Sequence, residues 1–122
     1  MSIHTRTFSG RDILPYLDQL ARLREEPSLI ESAIEEVLRF DGPTNALVRE
    51  VARDHAFHGK ELREGERVFI MVNSANRDPN QFDDADRFDI TRAQNRHLTF
   101  GQGIHLCLGA RLAREEGRVA VQ

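Results

Sequence analysis

Leu14, Leu17, Leu20 and Leu23 recur with charged and polar residues between them. This spacing predicts an amphipathic helix over Ile13–Glu26 that stops before Pro27, because proline disfavours helical geometry in the residue preceding it. A second helix follows at once. Ser28 and Glu31 have the spacing of a capping box, and Ile30, Ala33, Ile34, Val37 and Leu38 form one apolar stripe that ends at Gly42-Pro43. Ala46–Val51 and Val68–Val72 read as strands, with Gly59-Lys60 and Gly65-Glu66 as turns between them. The expected result is a small antiparallel sheet made of a hairpin plus one strand. Periodicity fades over Asn73–Arg96, where Asp78-Pro79, Asp83, Asp84 and Asp86 accumulate, and this stretch reads as a meander of turns. Helical spacing returns over Leu108–Val121 through Leu108, Leu112, Ala113, Val119 and Ala120, although Gly117 inside it costs about 1 kcal/mol relative to alanine. The fold class is therefore mainly α with a small antiparallel β-sheet.

Composition narrows the setting. A chain of 122 residues fits one domain, and a compact one buries roughly two thirds of its unfolded surface. With 39% hydrophobic and 30% charged residues, however, apolar material for a self-sufficient core is thin. Seventeen basic residues against twenty acidic ones give a net charge of −3 with no basic block, which argues against a nucleic-acid surface. No apolar run is long enough to span a membrane, and Met1–Gly10 lacks the hydrophobic stretch of a secretory signal. The cytoplasm is the expected location.

Chemistry concentrates in Phe100–Gly109, which holds the single cysteine among three glycines just before the last predicted helix. A thiolate at Cys107 gains from the helix N-terminal dipole and from the unpaired N–H groups of the first turn. Gly101, Gly103 and Gly109 let the backbone approach a flat ligand closely. Phe100 is placed to shield the sulfur, and His105 to offer a ring N–H to an anion. A buried or idle cysteine in a glycine-rich turn is the plainer alternative. A zinc site drawing on Cys107, His105 and His97 is another, although residues two apart cover two tetrahedral positions poorly. A cysteine hydrolase is weaker still, since no motif supplies an orienting Asn or Asp.

The ten residues Phe-Gly-Gln-Gly-Ile-His-Leu-Cys-Leu-Gly resemble the haem-binding loop of the cytochrome P450 family, Phe-Gly-x-Gly-x-His-x-Cys-x-Gly, at every fixed position. The resemblance extends to Glu36-Val37-Leu38-Arg39, similar to the family's Glu-x-x-Arg signature, and to Ala85-Asp86-Arg87-Phe88, similar to its Pro-x-Arg-Phe segment with alanine in place of proline. It implies a Glu36, Arg39 and Arg87 triad that ties a helix to the meander. Taken alone, Glu36 and Arg39 lie off the apolar stripe and read as an exposed pair worth about 0.2–0.5 kcal/mol. Arg49 resembles the family's propionate-contacting strand arginine, and its plainer reading is a solvent-facing strand residue. His55, His58 and His97 read as surface histidines.

The similarity covers residues 14–122 and maps to the family's C-terminal part, ending inside the helix after the cysteine. Residues 1–13 are unassigned. What the resemblance implies is haem b with Cys107 as the iron ligand and with Arg49, Phe100, Gly101, His105 and Gly109 around the cofactor. It further implies a monooxygenase that inserts one atom of dioxygen into a small hydrophobic organic substrate, with electrons from NAD(P)H delivered by a ferredoxin-type partner. The family's distal helix, with its acidic residue and threonine for proton delivery, has no counterpart here, and no catalytic residue is assigned. The alternative is a truncated, inactive remnant that binds haem weakly at most.

Overall fold

The structure is a computed structural model that describes residues 10–121, with side chains described from Tyr16 onward. Among the described residues, four α-helices, α1 (Gly10–Glu25), α2 (Ile30–Asp41), α3 (Val72–Ala75) and α4 (Ala110–Val121), accompany four short strands. α1 crosses the boundary expected at residue 14, and residues 1–9 of the unassigned segment lie outside the described residues, as does the side chain of Leu14.

The capping box does not form. Pro27–Leu29 wind into a 3-10 turn that runs straight into α2, so Leu29 takes the N-cap position without a side-chain bond. The turn itself supplies the acceptors a cap would provide, since the Leu29 N–H bonds Glu26 O and the Ile30 N–H bonds Pro27 O. Ser32 is the serine that works here. Its hydroxyl contacts Leu29 O at 3.0 Å and Ile90 O at 2.6 Å, pinning α2 to the meander.

The four strands of the described residues make two antiparallel ladders. β1 (Leu47–Glu50) pairs with β4 (Arg67–Ile70), and the tight hairpin β2 (His55–Phe57) with β3 (Lys60–Leu62) is nested between them. His58 and Gly59, both at positive φ, make the hairpin turn. Val72 leaves the sheet for α3 and is almost completely buried.

Ala33, Ile34, Val72, Phe82, Ala85, Ile90 and Ala110 are buried, yet the largest fully buried side chains include Arg39, Glu36 and Asn76. The centre of the molecule is therefore ionic and amide-rich. α1 is docked by Tyr16, whose ring packs on Phe40 and Phe88 with centroids 5.9 and 5.0 Å away, and by Gln19, which accepts the Ile90 N–H at 3.0 Å. α2 and α4 pack together where Gly117 faces Ile34: a Cβ at Gly117 would lie 3.3 Å from Ile34 Cδ1. The helix-propensity cost of that glycine is met by a close helix–helix approach.

Candidate functional site

Two charged networks on neighbouring residues of α2 hold the framework of the site. In the first, Arg39 is wholly buried, and all five of its N–H donors are used. Nε and Nη2 bond the Glu36 carboxylate, each at 2.8 Å, while Nη1 and Nη2 reach the carbonyls of Asn76, Ala85 and Arg87 at 2.8–3.0 Å. Glu36 is fully buried as well, and accepts further bonds from Asp89 N at 2.8 Å, Asn95 Nδ2 at 3.0 Å and Arg92 Nε at 3.1 Å. Isolated charges in this setting would be strongly penalised. Paired and fully hydrogen-bonded, they lock α2 to the meander. The meander covers the polar face of α2, so Glu36 and Arg39 do not form the exposed pair that the helical wheel suggests.

The third member of the triad is Arg92 and not Arg87. The Arg87 side chain is 63% exposed and lies 3.4 Å from Asp89, whereas its backbone carbonyl is what the cluster uses, accepting from Arg39 and Arg92. Arg92 is only 10% exposed and also donates to the carbonyls of Asp83 and Asp84. The cause is local. The Asp89 carboxylate accepts from the Thr91 N–H and hydroxyl, making a turn that buries Ile90 and carries Arg92 back to Glu36. Asp89-Ile90-Thr91 is readable as such a turn in the sequence. Ala85 in place of proline is harmless to the network, which takes only its carbonyl.

The second network centres on Glu35. Its carboxylate is gripped by Arg114 of α4 through Nε and through Nη2 at 2.9 Å, and Oε2 accepts from His97 Nε2 at 3.1 Å. Thr99 N–H donates to His97 Nδ1 at 3.2 Å, which assigns the ring proton to Nε2. His97 is accordingly no surface histidine; its side chain is 3% exposed. Burial raises the Glu35 pKa, but hydrogen bonds from His97 and Arg114, with the Arg114 charge, outweigh it and bring the group from 4.5 down to about 2. The same hydrogen bond pushes Arg114 up.

From this root the cysteine loop projects. Asn76 accepts the Leu98 N–H at 2.7 Å and donates to the Thr99 hydroxyl at 3.0 Å, and that hydroxyl donates to Leu38 O at 2.6 Å. Beyond Thr99 the chain turns at Gly101 (φ +72), where a Cβ would lie 2.9 Å from His105 O, and again at Gly103 (φ +64). Both angles suit glycine and strain other residues. The Cys107 N–H donates to Phe100 O at 2.8 Å, and α4 begins three residues after the cysteine.

Cys107 is a free, exposed thiol, and the side chains of Ile104, Leu106 and Leu108 in the same loop and of Leu112 in α4 are exposed as well. His105 and Gly109 are exposed in the same loop, and Phe100 is half-buried with Arg114 over its ring, 4.7 Å from the centroid. Arg49 lies on β1 opposite Val68, exposed, with Nη1 on Val48 O at 2.9 Å. No hydrogen bond among the described residues joins it to His105. This exposure overturns the reading of a buried cysteine. The zinc alternative fails because the His97 ring is committed to Glu35 and Thr99, and among the described residues no three His, Cys, Asp or Glu side chains are arranged to hold a metal. A haem fits the donor set: an accessible thiol stands among apolar side chains on a glycine-shaped loop, as a flat, largely apolar macrocycle with one soft ligand requires.

Among the described residues no helix is long and apolar enough to cross a membrane. The sequence profile of the cytochrome P450 family matches residues 17–122. The biotin biosynthesis cytochrome P450 of Bacillus subtilis (strain 168) is 46% identical over 109 residues, 89% of this chain and 28% of that protein. The vitamin D(3) 25-hydroxylase of Pseudonocardia autotrophica is 48% identical over 110 residues, 89% of this chain and 27% of that protein. Among solved structures, the bacillaene polyketide synthase cytochrome P450 PksS of Bacillus subtilis 168 superposes with a TM-score of 0.85 at 40% identity, covering 89% of this chain and 28% of that one. The chain thus spans about 28% of the length of these relatives. Helix-rich, with small antiparallel ladders and this shared fold, the chain belongs to the cytochrome P450 family.

Proposed function

We propose that the chain is the haem-holding part of a haem-thiolate monooxygenase, which inserts one atom of dioxygen into a small hydrophobic organic substrate. Electrons would come from NAD(P)H through a ferredoxin-type partner, and the cytoplasm, where such donors occur, is the proposed location. Residues 14–122 are the proposed P450 part. Cys107 would ligate the iron of haem b, and the bound thiolate-iron group supplies the electron donation that favours O–O bond cleavage.

The chain's own residues have distinct roles in this reading. With haem bound, Phe100 would shield the sulfur from water, Gly101 and Gly109 would admit the macrocycle close to the backbone, and Arg49 with His105 would neutralise its anionic edge. The supporting observation is the exposed Cys107 thiol within its glycine-shaped loop. The test is the reduced carbonyl complex of the haem-loaded protein, which should carry the red-shifted Soret band of a thiolate ligand and lose it in Cys107→Ser. A wild-type spectrum of histidine ligation would sink the assignment.

A second reading applies to the 122-residue polypeptide by itself: weak haem binding without productive oxygenation. It is favoured by the near-complete exposure of Ile104 and Leu108 beside the thiol.

A further inference from the structure

The loop that carries Cys107 has little packing of its own. Residues 102–109 are all exposed, and the hydrogen bonds that fold the loop are backbone contacts: Gly101 N to Leu98 O, Leu106 N to Gly103 O and Cys107 N to Phe100 O. At one end the loop is anchored by half-buried Phe100, whose carbonyl fixes the Cys107 N–H at 2.8 Å, and at the other by buried Ala110, whose N–H bonds Cys107 O at 3.2 Å. Arg114 packs on Phe100, its guanidinium carbon 4.7 Å from the ring centroid. Arg114 is long and partly exposed, and without a partner it would sample many rotamers. The two-point grip of Glu35 removes that freedom, while the His97 ring, also on Glu35, stands 6.1 Å from the Phe100 ring.

We infer that Glu35 is a positioning residue for Cys107, acting through Arg114 and Phe100. Glu36, one residue along α2, binds a separate set of groups in the meander. α2 therefore serves two functions with adjacent carboxylates, one holding the framework and the other orienting the ligand loop. The inference takes its purpose from the reading of Cys107 as the haem ligand, but the coupling it describes exists without haem and is measurable without it.

Amide hydrogen exchange in the 122-residue chain, free of haem, tests it. Glu35→Gln keeps the shape but weakens the charged grip, and should speed exchange of the Cys107 N–H about tenfold while the Val51 and Phe82 amides, paired elsewhere, keep their rates. Arg114→Lys, which retains charge but loses the two-point fork on Glu35, should act in the same direction. In a Phe100→Leu background the Glu35→Gln effect should vanish, and in Phe100→Tyr, which restores a ring, it should return. An unchanged Cys107 rate, an equal rise at Val51 and Phe82, or full multiplication of the Glu35→Gln and Phe100→Leu effects would overturn the inference. If Glu35→Gln does not fold, Arg114→Lys is judged by the same outcomes. Failure of Cys107 as the iron ligand would register separately, in the carbonyl spectrum of the haem-loaded protein.

Discussion

Arg92 Nε lies 3.1 Å from Glu36 Oε2, so a carboxylate already bonded twice by Arg39 carries a second guanidinium. The arrangement leaves no excess of buried negative charge and joins two remote segments, α2 and the turn at residues 89–92, through one group. Removing Arg92 would leave Glu36 paired with Arg39 alone, delete a charged hydrogen bond and free the carbonyls of Asp83 and Asp84. Arg92→Ala should therefore cost about 1.5–3 kcal/mol in urea unfolding, the range for losing hydrogen bonds to a charged group. Arg87→Ala, which deletes an exposed partner of Asp89, should cost under about 1 kcal/mol. Equal losses in the two variants would contradict the assignment of Arg92 to the network.

That contrast marks the limit of sequence reading for this chain. α2 and α4 were legible because a 3.6-residue period and Gly42-Pro43 are local signals, and the cysteine loop was legible because its glycines and Cys107 stand at fixed short spacings. The burial of Glu36 was not, since it depends on a meander more than fifty residues away folding over the polar face of α2. Arg87 and Arg92 are equally basic on paper. The choice between them is made by the Asp89–Thr91 turn, which points one carbonyl and one guanidinium inward. His97 looked like a surface residue because both of its partners come from other parts of the fold or from backbone.

Gly117 offers a test of how closely α2 and α4 are packed. An alanine Cβ would meet Ile34 Cδ1 at 3.3 Å, a contact that the tip of Ile34 can relieve by a small shift. The helix gain of about 1 kcal/mol over glycine then offsets the crowding, and Gly117→Ala should melt within a few degrees of wild type. Gly117→Leu cannot be accommodated that way and should lose about 1–3 kcal/mol. Thermal unfolding followed by circular dichroism distinguishes the two, and a Gly117→Leu variant as stable as wild type would mean that the helices stand further apart.

Acid stability should report on Glu35. Its carboxyl is held at about 2 in the folded chain against an ordinary 4.5, so the folded state binds fewer protons than the unfolded one in between. The contribution of the group is present in full above about pH 5 and is lost as pH falls toward 2. Asp89, held low chiefly by the Thr91 hydroxyl, acts in the same direction. Because solvent reaches the Glu35–Arg114 pair, its share is about 1 kcal/mol. Urea midpoints measured across that window should fall less steeply with acid in Glu35→Gln than in wild type, and parallel slopes would remove Glu35 from the account.

The 122-residue polypeptide, loaded with haem, should not couple electron supply to substrate oxygenation. Ile104 is 97% exposed and Leu106, Leu108 and Leu112 are exposed with it, so among the described residues no wall stands over the apolar surface beside Cys107. A substrate there would have nothing to hold it in a reactive orientation, and correct orientation accounts for roughly 7–11 kcal/mol of a barrier. Electrons should instead pass to dioxygen and leave as hydrogen peroxide. With a ferredoxin system and NADPH supplied, cofactor consumption, peroxide and oxygenated product can be followed together over terpenoid, steroid and fatty-acid substrates. Peroxide should then account for nearly all of the NADPH consumed, whereas product formed in step with NADPH on one substrate would require a pocket built by a second copy or a partner chain over the thiol face.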